Sequence, residues 1–356
     1  MTKKIVSLLL AALMLITLMA GCATASAPTP APASSDTPAN SDAPVTNKKP
    51  LKVAVQSFYC SSLVGLIEAE GWPEAEGLPI ELQVFSSGAT INEAMGEWDV
   101  AVTGGAFVYA LANYDCKLIA HQIDGTDGNY VLARQGDAII DAMGNSSKTA
   151  DEVRGKTILT AYGTTGHYTL NLWLESLGVS PEECNIVNLE IANIYSSWVA
   201  GEGDLCVMTA PYCYYNMDEM NSTIIATLDA VGGSLYEATV CTKDAYDNRY
   251  DDIVTFVEWL YRANDKLAAD PALAKQVVTD WYTEHGKTVS EEDVNAELTG
   301  KPFITTAQAK EITLGDFAAS YAGWFASREL IESSRLDVVK ANVATDIYTE
   351  ALARIS

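Results

Sequence analysis

The chain has 356 residues, with 22 basic against 47 acidic side chains and a net charge of −25. So acidic a surface disfavours nucleic acid and broad contact with anionic lipid, although a locally positive pocket stays possible. Roughly 300 residues follow Pro50, enough for two lobes or domains.

The N-terminus points to export. Lys3 and Lys4 precede an apolar run, Ile5 to Ala20, of about signal-peptide length and short for a spanning helix. The run ends in Met19-Ala20-Gly21-Cys22, which resembles a bacterial lipobox. On that resemblance residues 1–21 are a lipoprotein signal peptide and Cys22 becomes the acylated N-terminus. The body is then extracytoplasmic and held to the bacterial cell membrane by lipid on Cys22. The alternative is an uncleaved anchor, and no second apolar run of spanning length follows. Residues 22–50 read as a disordered Ala/Pro/Ser tether. Pro28, Pro30, Pro32, Pro38, Pro44 and Pro50 stiffen it, and it has too few large apolar residues to fold.

From Leu51 strands and helices alternate, the pattern of an α/β fold with mainly parallel sheets. Strands are expected at Leu51–Gln56, Pro79–Phe85, Asp99–Val102 and Lys117–His121, with helices at Ser61–Glu70 and Ala106–Asn113. A second unit begins near Asn129. YVLAR and KTILTA are its first strands, followed by the glycine turn of AYGTTGHYTL. Leu170, Trp173, Leu174 and Leu177 then mark one helix face. CNIVNLEI is a strand, Ile194–Gly201 a helix, and DLCVMTAP a strand running into the aromatic loop YCYYNM.

The last third is helical. Ile253, Phe256, Val257, Leu260 and Tyr261 form an apolar stripe, and Asp270-Pro271 is an N-cap followed by proline at the first helical position. Further helices are expected at Ser290–Leu298, Thr306–Ile312, Phe317–Glu332 and Arg335–Arg354. Cys60, Cys116, Cys184, Cys206, Cys213 and Cys241 are even in number, so disulfides and free buried thiols are both open.

Four segments in this order resemble one known family. They are EAEGWPEAEGLPIELQVF, MGEWDVAVTGG, VRGKTILTAYGTTGH and GEGDLCVMTAP. With the lipobox and tether, they are similar to the extracytoplasmic substrate-binding proteins of ABC importers, in the sulfonate, nitrate, taurine and thiamine-precursor group. The resemblance implies a two-lobed, periplasmic-binding-protein-like type II fold. Residues 51–126 and 237–356 would form lobe 1, the latter with a return strand and extra C-terminal helices. Residues 127–236 would form lobe 2, with ligand in the cleft. Asp204 would brace its strand turn, as an equivalent acid does in the family.

Ligands of parallel α/β folds sit beyond the carboxyl ends of strands, where helices begin with unpaired N–H groups. Gly163, Thr164, Thr165 and Gly166 would thus cradle an oxyanion or carbonyl oxygen, with His167 beside them. Thr103, Gly104 and Gly105 form the matching turn of the first unit. Gln56, Ser57, Phe58 and Tyr59 end the first strand and could bond and cover a ligand. Tyr212, with Tyr214 and Tyr215, reads as a cleft wall. Trp198 and Asp124 are weaker candidates. Each of these positions also has an ordinary structural reading as a turn, cap or core aromatic.

Neither a nucleotide P-loop nor H-E-x-x-H nor G-x-S-x-G occurs, and nothing in the sequence activates Cys60 as a nucleophile. Neither a cofactor nor a metal is expected. The expected partners are a small-molecule ligand, an ABC permease with its ATPase, and the membrane through the N-terminal lipid. A sulfonate, an aromatic carboxylate or a pyrimidine would fit. The alternatives are a receptor feeding a sensor and an extracellular enzyme on the same fold.

Overall fold

The computed structural model describes residues 48–355. The signal peptide, Cys22 and the tether up to residue 47 lie outside the described residues. In chain order the strands are Leu51–Gln56 (β1), Ile80–Phe85 (β2), Val100–Thr103 (β3), Cys116–Asp124 (β4), Asn129–Arg134 (β5), Thr157–Thr160 (β6), Asn185–Asn188 (β7), Leu205–Thr209 (β8), Ser222–Thr227 (β9) and Tyr236–Thr242 (β10). They form two five-stranded sheets, ordered β2-β1-β3-β10-β4 and β7-β6-β8-β5-β9.

Both sheets are built alike. β1 pairs in parallel with β2 and β3, and β6 pairs in parallel with β7 and β8. β10 and β5 are inserted antiparallel. Topology explains this. Each is the first strand after the chain crosses from one sheet to the other. The chain leaves by the carboxyl end of a strand, so it enters the new sheet where the parallel strands finish. It must then run against them.

The central strands are apolar on both faces, as covered parallel sheets require. Val100 to Val102 are fully buried. The helix Tyr250–Ala269 buries its whole expected stripe, Ile253 to Tyr261, at zero exposure. Each such side chain contributes about 1.5–3 kcal/mol of hydrophobic stabilisation. The Asp270 carboxylate caps the next helix, accepting from the amides of Ala272 and Leu273.

Two aspartates tie the parallel strands together. Asp99 Oδ2 accepts the Lys52 amide at 2.9 Å, and Asp204 Oδ2 accepts that of Thr157 at 2.8 Å. Each acid immediately precedes a central strand and pins its start to the neighbour. Asp99 is also bonded to the Arg249 guanidinium at 2.8 Å, with both side chains largely buried.

The structure departs from the expected elements in several places. The strand β9 has no expected counterpart; STIIAT lacks clean alternation because it is a half-buried edge strand with a register shift in its pairing. The expected helix Arg335–Arg354 is two, Leu336–Ala341 and Thr345–Arg354. Between them Val343 bridges Leu118, whose amide donates to the Asn342 carbonyl at 2.8 Å. That contact covers the open edge of β4, where unpaired backbone would otherwise be exposed. The helix expected at Ile194 begins at Ile191, so β7 stops at Asn188. The helix expected to reach Glu332 ends at Ser327, where Glu329 turns to φ 57°.

Among the described residues no two cysteines are paired: Cys60, Cys116, Cys206, Cys213 and Cys241 are buried thiols and Cys184 is half-buried. Trp198 is not near a cleft: it is wholly buried, donates to Ser222 Oγ at 2.7 Å and stacks under the Arg134 guanidinium at 3.9 Å. Asp99→Ala removes an acceptor from the Lys52 amide and a counter-charge from Arg249. It should lower the unfolding free energy by about 2 kcal/mol in chemical denaturation; an unchanged midpoint would show the brace to be dispensable.

Candidate functional site

The carboxyl ends of parallel strands from both sheets meet around one cavity of about 80 Å³. At about 10–15 Å³ for each water centre, it holds roughly six waters, or a ligand of about that many heavy atoms. From the first sheet come Gln56 and Phe58 after β1, Gly88 after β2, and the turn Thr103–Ala106 after β3. From the second come Thr164 and Thr165 after β6, Ile191 after β7, and Thr209 with Ala210 at the end of β8. The two sets approach closely. A Cβ on Gly105 would stand 2.6 Å from Thr165 Oγ1 across the two sets, and within the first set one on Gly88 would stand 2.7 Å from Ala106 Cβ. Only glycine lets the backbone come so near.

Donors face the cavity from several directions. Gln56 is buried, and its Oε1 accepts from Thr103 Oγ1 and the Gly104 amide, each at 3.1 Å. Those bonds fix the amide, leaving Nε2 as a donor. The helix Thr165–Ser176 starts without a side-chain cap, because Thr164 Oγ1 donates back to the Ala161 carbonyl at 2.6 Å. Its first-turn N–H groups and positive dipole end are therefore available to an oxyanion.

The remaining wall is charged, and the sequence did not reveal it. Lys301, at the end of the helix Glu291–Gly300, and Glu237, in β10, both line the cavity, and each is only 6% exposed. Lys301 Nζ lies 2.8 Å from Glu237 Oε1 and 3.6 Å from Glu297 Oε1. Tyr282 Oη donates to Glu297 Oε2 at 2.6 Å, and Tyr59 Oη donates to the Lys301 carbonyl at 2.8 Å. Burial pushes the Glu297 carboxyl up to about 7, against the pull of Lys301 and the Tyr282 hydroxyl. Burial would lower Lys301, but the Glu237 and Glu297 charges outweigh it and hold the ammonium protonated. Among the described residues, Glu237 Oε2, Glu297 Oε1 and Thr209 Oγ1 are buried without a hydrogen-bond partner. Cys60 also lines the cavity, yet burial and then the Glu237 charge push its thiol well up, away from the nucleophilic thiolate.

Of the residues singled out in the sequence, the cavity gathers Gln56, Phe58, Thr103, Gly104, Gly105, Thr164 and Thr165. The others stand outside its lining. Ser57 is half-buried in the loop. Tyr59 is wholly buried behind the wall, on Lys301. Gly163 supplies the turn with φ 70°, and Gly166 packs the helix onto β8, its Cβ position 3.3 Å from Val207 Cγ1 and Thr209 Cγ2. His167 belongs to a separate surface groove with Asn171 and Glu175, stacked on Tyr162 at 4.6 Å. Burial lowers it to about 4, so it is neutral. Tyr212 stacks on Tyr195 at 5.0 Å. Tyr214 donates to Asp127, Tyr215 to the Thr288 carbonyl, and Asp124 accepts the Thr126 amide. Glu237 and Lys301 carry no local sequence signal: one sits in an ordinary strand, the other follows a surface helix.

Two mixed α/β sheets with a ligand-sized cavity between their strand ends define the periplasmic-binding-protein fold. Comparison with known proteins agrees. The alkanesulfonate-binding protein SsuA from Xanthomonas axonopodis pv. citri, bound to MOPS, superposes with a TM-score of 0.64 at 17% identity, covering 82% of this chain and 97% of that one. The nitrate-binding protein NrtA from Synechocystis PCC 6803 gives 0.68 at 12% identity, covering 86% and 89%. In sequence, a protein of Brachyspira hyodysenteriae, provisionally named an ABC transporter periplasmic binding protein, is 32% identical over 310 residues, 85% of this chain and 89% of its own. The taurine-binding periplasmic protein of Escherichia coli is 22% identical over 236 residues, 65% of this chain and 71% of its own. Residues 45–280 match the NMT1-like family.

The chain belongs to the NMT1-like family, and it is a small-solute-binding protein of the ABC-transporter class. Among the described residues no helix is long and apolar enough to cross a membrane.

Glu297 gives a pH test. Its folded value of about 7 lies above its ordinary 4.5, so the folded state binds the extra proton between those values. That contribution is complete below about pH 4.5 and is lost as pH rises through about 7. The wild type should therefore lose more melting temperature than Glu297→Gln between about pH 5 and pH 8. Parallel slopes would contradict the assignment.

Proposed function

We propose that the chain captures a small organic solute of sulfonate, carboxylate or pyrimidine type in this cavity and delivers it to an ABC permease. The observation that carries the reading is the convergence of strand ends from both sheets on one cavity. Helix-start N–H groups and the Gln56 amide meet the solute there. The same cavity offers no activated nucleophile, since the Cys60 thiol is held protonated.

Residues 51–126 and 237–356 act as one lobe and residues 127–236 as the other. The crossings Asp124–Asn129 outbound and Gly233–Cys241 on return are the hinge, and closure brings Gly105 onto Thr165. Cys22, once acylated, tethers the receptor beside its permease.

A solute at a hundred times its dissociation constant stabilises the bound form by about 2.7 kcal/mol. Titration with pooled small organic acids and pyrimidines should raise the melting temperature and shrink the radius of gyration in X-ray scattering. Gly105→Val should bind at least tenfold more weakly and stay expanded, whereas Gly104→Ala, with open space around its Cβ position, should behave as wild type. Neither stabilisation nor compaction with any pool would refute the receptor reading. In membrane fractionation the full chain should sediment with lipid and Cys22→Ala should not; equal partitioning would remove the lipid anchor.

A further inference from the structure

We infer that Tyr321 is a positioning residue for solute capture: it stands behind the cavity where the two lobes meet, and its unpartnered hydroxyl holds them back from full closure. The inference rests on the two-lobe receptor reading above and adds the part that sets the balance between open and closed forms.

Three parts of the chain converge on Gly105. A Cβ there would stand 2.6 Å from Thr165 Oγ1, 3.1 Å from Tyr321 Oη and 3.4 Å from Leu235 Cδ1. Thr165 opens the helix that lines the cavity from the second sheet, and Leu235 lies on the return crossing. Tyr321 sits midway along the helix Asp316–Ser327 and is 1% exposed. It stands outside the cavity lining, so its effect on a solute passes through its neighbours.

That helix belongs to one lobe and leans on the other. Near its start Phe317 packs within the first lobe, 6.2 Å from the Phe107 ring and 5.9 Å from that of His121. Further along, Tyr321 and Trp324 each meet Tyr168 of the second lobe edge to face, at 4.7 and 4.6 Å. Just past its end Arg328 pairs with Glu175. Tyr168 and Glu175 both lie on the helix Thr165–Ser176, whose first residue lines the cavity. The helix Asp316–Ser327 is thus a strap, laid from the first lobe onto the helix whose start meets the solute.

The strap carries opposing terms. Its aromatic contacts favour closure, and the exposed Arg328–Glu175 pair adds little. Against them, Tyr321 Oη and Trp324 Nε1 are buried without a hydrogen-bond partner among the described residues. A buried donor left unpaired keeps its desolvation cost, and an apolar group of the same shape removes it. When the lobes part, Tyr168 leaves Tyr321 and water reaches the hydroxyl, so the cost falls on the closed form. A receptor must reopen to hand over its solute, and this penalty biases it that way. Apparent affinity falls with the fraction of chains in the binding-competent form.

Tyr321→Phe deletes the hydroxyl and keeps the ring. In X-ray scattering without solute it should be more compact than the wild type. Pooled small organic acids and pyrimidines should half-saturate it at a concentration lower by about fivefold or more. Its urea midpoint should stay at the wild-type value; a merely structural role would move that midpoint and leave the scattering unchanged. Tyr168→Leu, which breaks the cross-lobe contact, should raise half-saturation by about fivefold, and it keeps the strap testable should Tyr321→Phe fail to fold. A Tyr321→Phe chain that scatters and saturates like the wild type, or binds more weakly, would overturn the inference and leave the receptor reading intact, as would wild-type binding by Tyr168→Leu. A wild type that no pool compacts or stabilises would remove both.

Discussion

Parallel strands that share a direction deposit their loops, glycines and helix starts along one edge of a sheet, and in this protein two such edges face each other. Everything else about the site follows from that arrangement. The helix beginning at Thr165 has no side-chain cap because its cap residue bonds backward to Ala161. Gly105 is bare because Thr165 stands where its Cβ would be. Even the two antiparallel strands, β5 and β10, obey the rule, since a chain that crosses between facing edges must re-enter against the grain. β10 thereby carries Glu237 into the cavity wall.

Against this neutral, dipolar rim the structure sets a buried ionic cluster. Burying an ammonium and two carboxyls is expensive, and such a cluster is a weak source of stability. Two of its members, Glu237 and Lys301, line the cavity, apart from the apolar core around Phe256 and Leu260. Lys301 comes from the C-terminal helical region, which therefore adds a charged side chain to the cavity wall as well as packing.

The sequence made the backbone part of the site legible and the side-chain part obscure. Glycines beside threonines after a strand have few explanations, so the turns at Thr103 and Thr164 could be picked out from the order of residues alone. Asp204 was legible as a strand brace, whereas Asp99, which braces β3 in the same way, read only as the start of its strand. By contrast, Glu237 lies 113 positions after Asp124 in number yet faces the same crossing, and only the long-range pairing of β10 with β4 brings it there. Lys301 is brought to it from further still. His167 misled for a local reason: at helical spacing it rotates to the face carrying Asn171, away from the cavity. β9 escaped notice because an edge strand, wetted along much of its length, need not alternate.

The central claim is that a solute sits against the strand ends of both sheets at once. Amide hydrogen exchange, followed by mass spectrometry with and without the solute that the protein retains, tests it most directly. Exchange should slow together in the segments around Thr103–Ala106 and Thr164–His167, one from each sheet. Protection confined to one sheet, or appearing only in the outer groove at Tyr162 and Glu175, would contradict it.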